Sequence, residues 1–180
     1  MRILKEDCLG LTIDIQERLI PHIYCNESLL YNTEVLIQGL TALKVPQILT
    51  EQYPKGLGET VYGIGVLLEN TQLITKTTFS CCGENQFEQI IKSSDKRFVI
   101  ISGIETHVCV LQTALDLIDL GKIPVIVQNC TSSRKLEDKT VALNRLVKAG
   151  AIVTTYESIL LELCRDSSLP EFKVISKLIK

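Results

Sequence analysis

Six short apolar runs, alternating with stretches patterned differently, constrain this chain more than any other feature. They occupy residues 8–13, 47–50, 72–75, 98–102, 124–127 and 151–154. In the fourth, Phe98, Val99, Ile100 and Ile101 are all apolar, so such a strand has no face meant for water. Between the runs the period changes. Leu29, Leu30, Val35, Leu36, Leu40 and Leu43 form a helical stripe over 28–44, and Pro46 ends it. Further helices are expected over 84–92, 106–120, 137–149, 158–164 and 170–178, with Gly121 and Gly150 closing two of them. Strands apolar on both faces with helices between them predict a single doubly wound, Rossmann-like α/β domain over residues 1–180. Its six-stranded parallel sheet is covered by helices on both faces. Residues 51–65, rich in glycine, read as a long loop that lines or covers a pocket. Gly56, Gly58, Gly63 and Gly65 do not make a dinucleotide fingerprint.

Composition narrows the function. The net charge is −2, aromatic residues are 5% and tryptophan is absent. Neither a counterion-releasing basic surface nor a base-stacking platform is supplied, so nucleic acid is not an expected partner. No apolar run nears the roughly 20 residues that span a bilayer, so no membrane is expected. Met1 to Asp7 does not read as a signal peptide. Seven cysteines, an odd number at scattered spacings, predict reduced thiols and a cytoplasmic setting. Without a CxxC pair or a cluster with ligand spacing, no metal site and no cofactor are expected.

Doubly wound sheets bind ligands beyond the carboxyl ends of their strands. Three chemically distinct groups fall there: Asp14 after the first strand, Lys76 after the third, and Cys109 in the turn after the fourth. With Thr106 as N-cap, Cys109 would sit in the first helical turn, where free N–H groups favour a thiolate. Lys76 would keep Asp14 ionised and add positive potential. Asp14 would take the thiol proton and return it as a general acid. Each residue alone has an ordinary explanation: a buried thiol, a turn acid, a surface lysine. Their convergence on one edge is what argues for chemistry. His107, two residues before Cys109, is expected to point away from the sulfur, and His22 to be solvated. The adjacent Cys81 and Cys82 leave a redox role open.

The segments Ile13-Asp14-Ile15-Gln16, Thr75-Lys76-Thr77-Thr78-Phe79-Ser80 and Gly103-Ile104-Glu105-Thr106-His107-Val108-Cys109 resemble the Asp–Lys–Cys triad segments of the isochorismatase-like cysteine hydrolases. The likeness spans nearly the whole chain. Residues 50–58 and 172–180 are similar to the subgroup called isochorismatase domain-containing proteins. The resemblance implies that Cys109 attacks a carbonyl, that Asp14 shuttles protons and that Lys76 orients the pair. It also implies a cis peptide at Ile104–Glu105, an oxyanion hole from the N–H groups of Glu105 and Cys109, and a homo-oligomer. Nicotinamidases of this group hold a metal through an Asp and two His; the matching segment here, Glu51-Gln52-Tyr53-Pro54, has no histidine. True isochorismatases do not need the cysteine. The expected reaction is therefore hydrolysis of a small amide, carbamoyl or ester-type substrate through a covalent intermediate. The alternative is a binding or scaffold protein with the same fold. Gln16, Glu51, Gln52, Tyr53 and Ser132 are the expected pocket residues. At the C-terminus, Phe172, Ile175, Leu178 and Ile179 form an apolar stripe that must dock on its own sheet or on a neighbouring subunit.

Overall fold

In the computed structural model, which describes residues 1–180, the apolar runs form one sheet of six parallel strands. They are β1 (Cys8–Ile13), β2 (Gln47–Gln52), β3 (Gln72–Lys76), β4 (Phe98–Ile104), β5 (Ile123–Ser132) and β6 (Ile152–Thr154). The order β3-β2-β1-β4-β5-β6 means that the chain begins at the centre, winds out to one edge, then returns to the other side of β1 and winds out again. The direction of winding reverses between β1 and β4, and that reversal opens a crevice at their carboxyl ends.

The period of two along each strand explains why both faces are covered. In β4, Val99 and Ile101 join Leu9, Leu11, Ile13 and Ile126 on one face. There they meet Phe87 and Ile91 of α4 (Asn85–Ser93), Ala114 and Leu117 of α5 (Leu111–Asp119), and Leu146 of α6 (Leu136–Ala149). Phe98 and Ile100 point the other way, onto Val35, Leu36 and Leu40 of α1 (Asn26–Ala42) and onto α7 (Tyr156–Cys164) and α8 (Pro170–Leu178). Ile175 of α8 is fully buried in this second core, with Phe172, Leu178 and Ile179 against it. The C-terminal stripe is thus docked on its own chain. No helix is long and apolar enough to cross a membrane.

Two expectations need correction. The stretch 51–65 is not a continuous loop: β2 runs on to Gln52, and two short helices follow, α2 (Pro54–Leu57) and α3 (Tyr62–Leu67). Ile64 of α3 is fully buried, so the glycines around it did not prevent a helix with one anchoring side chain. β5 is also longer than its apolar run. Its pairing with β4 shifts between Ile101 and Gly103, and beyond the shift Thr131 and Ser132 pair with Gly103 and Ile104. This irregularity carries polar residues of β5 to the carboxyl edge.

Gly103 fixes the spacing at the sheet centre. It has φ +119, and a Cβ built on it would lie 2.0 Å from the carbonyl oxygen of Ile13. Only glycine lets β4 approach β1 this closely, one residue before Asp14.

Candidate active site

Asp14 leaves β1 with φ 52, a left-handed conformation that Asp tolerates better than most residues. It is fully buried. One carboxylate oxygen, Oδ2, accepts from Lys76 Nζ at 2.6 Å, and the other, Oδ1, accepts from Thr50 Oγ1 at 2.7 Å. Lys76 ends β3 and reaches past β2 to make this bond. Its ammonium also donates to Gln52 Oε1 at 2.8 Å and to the carbonyls of Phe79 and Thr78 at 3.2 and 3.3 Å. A buried ion pair persists only when further hydrogen bonds satisfy its members, and both are so satisfied here. Burial pulls the Lys76 pKa down more than any single neighbour raises it, but Asp14 together with Cys81 and Cys109 turns the net direction up. Lys76 therefore stays charged at neutral pH.

Cys109 lies in a π-helical turn, Thr106–Val110, that feeds α5. This corrects the expected capping. Glu105 occupies the cap position and its carbonyl accepts from the N–H groups of Val108 and Val110 at 3.0 and 3.2 Å. Thr106 is inside the turn, buried, and its hydroxyl has no partner. The peptide between Ile104 and Glu105 is cis, and the Glu105 N–H donates to none of the loop and turn acceptors.

The expectation of a resting thiolate is also overturned. Burial, and then the Asp14 carboxylate, push the Cys109 thiol up to about 12, against a smaller pull from Lys76. The regular helix starts only at Leu111, so its dipole does little for a sulfur buried before it. With its pKa so raised, the group rests as a thiol beside the Asp14 carboxylate. Asp14, Lys76 and Cys109 thus occupy one buried locus at the reversal between β1 and β4.

The expected pocket residues divide. Gln52 holds Lys76, as above, and its Nε2 donates to Thr77 O at 2.7 Å. Tyr53 is half exposed and lines a cavity of about 350 Å³ with Pro54, Lys55, Lys76, Thr77 and Glu84. The other three act as braces, although Glu51 leaves its second carboxylate oxygen unbonded and lines a separate cavity of about 360 Å³. Gln16 is fully buried, donates to the carbonyls of Gln52 and Gly58 and accepts from the Gln52 N–H. Glu51 accepts from the N–H and hydroxyl of Thr60, both at 2.7 Å. Ser132 donates to Tyr24 O at 2.8 Å. His107 Nδ1 lies 2.9 Å from Ser133 Oγ, away from the triad, and His22 is exposed.

Two participants escaped the sequence reading. Thr50 sits two residues before Gln52 on β2, hence on the same face; that alternation was the one available signal. Arg134 follows β5, in the 129–134 loop that the carboxyl-edge rule selects, but no motif singled it out there. Its Nε and backbone N–H both donate to Glu105 Oε2, at 3.0 and 3.2 Å. Glu105 and Arg134 line a cavity of about 450 Å³ with Leu19, His22 and Ile23. No three His, Cys, Asp or Glu side chains converge as metal ligands.

Comparison with known proteins agrees with this fold. Residues 8–158 match the isochorismatase domain. The isochorismatase domain-containing protein 2 of Danio rerio is 40% identical over 178 residues, covering 99% of this chain and 89% of the relative. Among solved structures, the MAR1 ribonuclease of Caenorhabditis elegans superposes with a TM-score of 0.94 at 39% identity, covering 99% of this chain and 92% of that one. The ycaC gene product of Escherichia coli, described as an octameric hydrolase of unknown specificity, shares the fold at 23% identity and a TM-score of 0.93, over 99% of this chain and 90% of that one. The fold, its order of strands and the domain match together place this chain in the isochorismatase family.

Proposed function

We propose that the chain is a cysteine hydrolase acting on a small amide, carbamoyl or ester-type substrate. The observation that carries this reading is the fully buried Asp14–Lys76 pair beside the Cys109 thiol. Burying two charges is costly, and the same volume of apolar side chains would stabilise the fold at least as well. A proton acceptor held ionised next to a nucleophile is what the cost obtains.

In the proposed cycle Cys109 Sγ attacks the carbonyl carbon as its proton passes to Asp14. The oxyanion forms near the Glu105 and Cys109 N–H groups. Asp14 then protonates the leaving amine or alkoxide as the C–N or C–O bond breaks, leaving a thioester. Water attacks the thioester, gives a proton to Asp14, and the thiolate leaves and recovers it. Lys76 keeps Asp14 charged between steps, and Thr50 holds the carboxylate in one rotamer. Because the thiol is neutral at rest, proton transfer accompanies attack.

A screen of small amides, carbamates and esters against wild type and Cys109→Ala tests the reading. Turnover that the alanine variant loses supports it. Turnover that survives unseats Cys109 as the nucleophile, and a wild type inert to every class favours the binding or scaffold alternative. The name of the Caenorhabditis relative raises ribonuclease activity. A net charge of −2 and a buried nucleophile weigh against RNA, and cleavage of labelled RNA abolished in Cys109→Ala would reverse that judgement. Seven unpaired thiols fit a reducing compartment such as the cytoplasm. The family resemblance favours a homo-oligomer even though α8 is docked internally. Light scattering after size exclusion should give a multiple of 20.1 kDa.

A further inference from the structure

We infer that the substrate carries a carboxylate, and that Arg134 binds it in the cavity beside the nucleophile turn. The inference rests on the proposed hydrolytic site and adds the class of molecule it takes. Glu105 joins the two places: it caps the turn that bears Cys109, and its side chain lines the cavity. The cavity volume, about 450 Å³, suits a small metabolite. Leu19 and Ile23 form its apolar wall, and its polar groups are His22, Glu105 and Arg134.

The donor arithmetic points to an anion. Arg134 uses Nε and its backbone N–H on a single oxygen, Glu105 Oε2. Both of its Nη groups have no acceptor in the chain, and the side chain is 62% exposed towards the cavity and solvent. The Nε edge is thus spent on anchoring the guanidinium. The opposite edge, Nη1 with Nη2, is the fork that takes a carboxylate bidentately. Glu105 opposes a second anion, but its charge is already paired with Arg134. What remains is a short-range, directional site, with little long-range attraction. A ligand that seats its carboxylate there and its apolar stem against Leu19 and Ile23 would extend towards the turn that bears Cys109.

Equilibrium binding tests this without turnover. In the Cys109→Ala background, calorimetry would compare monomethyl succinate, a carboxylate with an ester at its far end, with the neutral dimethyl succinate. The expected result is tighter binding of the monoanion, with that preference falling about tenfold in Arg134→Gln. Arg134→Lys, which keeps the charge and loses the fork, should fall between. No preference for the monoanion, a preference that survives Arg134→Gln, or an equal loss of both ligands would each overturn the assignment; the last would make Arg134 only a brace for the turn. If the monoanion binds as expected while the wild type hydrolyses nothing, the hydrolase reading fails and the carboxylate site stands.

Discussion

Replacing Lys76 with methionine keeps an unbranched side chain one atom shorter and deletes the charge. The ammonium donates to four acceptors: Asp14 Oδ2, Gln52 Oε1 and the carbonyls of Thr78 and Phe79. The variant leaves Asp14 buried with Thr50 as its remaining donor, and leaves Gln52 with an unanswered oxygen. Removing one partner of a buried pair costs about 3–5 kcal/mol, out of roughly 5–15 kcal/mol for a whole domain. With a urea slope of roughly 2 kcal/mol per molar, the midpoint should drop by about 2 M. A lone carboxylate in an apolar pocket takes up a proton rather than remain charged. The loss should therefore be smaller at pH 5 than at pH 8, and Asp14→Asn in the same chain should recover part of it. Urea titrations followed by circular dichroism at the two pH values read all of this. A midpoint shift below about 0.5 M, equal at both pH values, would refute the view that the pair is a mutually dependent unit.

Asp14→Asn should lower kcat on any substrate found by roughly 10²–10⁴-fold with little change in KM, because it removes proton transfer rather than a contact; an unchanged kcat would leave Asp14 a structural role only. Alkaline pH should destabilise the fold. Burial holds Cys8 and Cys109 up to about 12 and Cys81 to about 11, against an ordinary value of 9.0. Folded-state values above the unfolded ones give stability that is complete below pH 9 and is lost as pH rises towards 11–12, by roughly 1 kcal/mol per thiol at pH 10. A urea midpoint that stays level from pH 8 to pH 10 would count against it. Gly103→Ala should abolish soluble folding or cost more than about 3 kcal/mol, since its Cβ would meet the Ile13 backbone. Gly65→Ala, with no atom nearer than 3.9 Å, should be neutral or stabilising in a thermal melt.

The architecture was legible because it rests on burial. Each apolar run became a strand, and the doubly buried pattern of 98–101 specified a parallel sheet. The carboxyl-edge rule then brought out Asp14, Lys76 and Cys109 with no structure at hand. What the sequence hid depends on distances between segments far apart along the chain. Gln16 and Ser132 are polar residues near the site, but whether such a group faces a ligand or braces a loop turns on a partner 36 to 108 residues away. Thr106 looked like a cap because Ser and Thr favour that position. A π turn moved the cap to Glu105, and no local pattern announces an inserted residue. The protonation of Cys109 was misjudged for a related reason: position along a helix is visible in sequence, whereas depth in the core is not.

β2 contributes no member of the proposed triad, yet it separates β1 from β3 and touches both charges, Asp14 through Thr50 and Lys76 through Gln52. A designer who grafts three side chains onto another parallel sheet would copy the reactive atoms and omit their scaffolding. The transferable unit is five residues on or just beyond four consecutive strands. It also needs a recipient with a glycine in the fourth strand, opposite the residue that precedes the acid. Sheets lacking that narrow gap would hold the first and fourth strands further apart, whichever residues were installed.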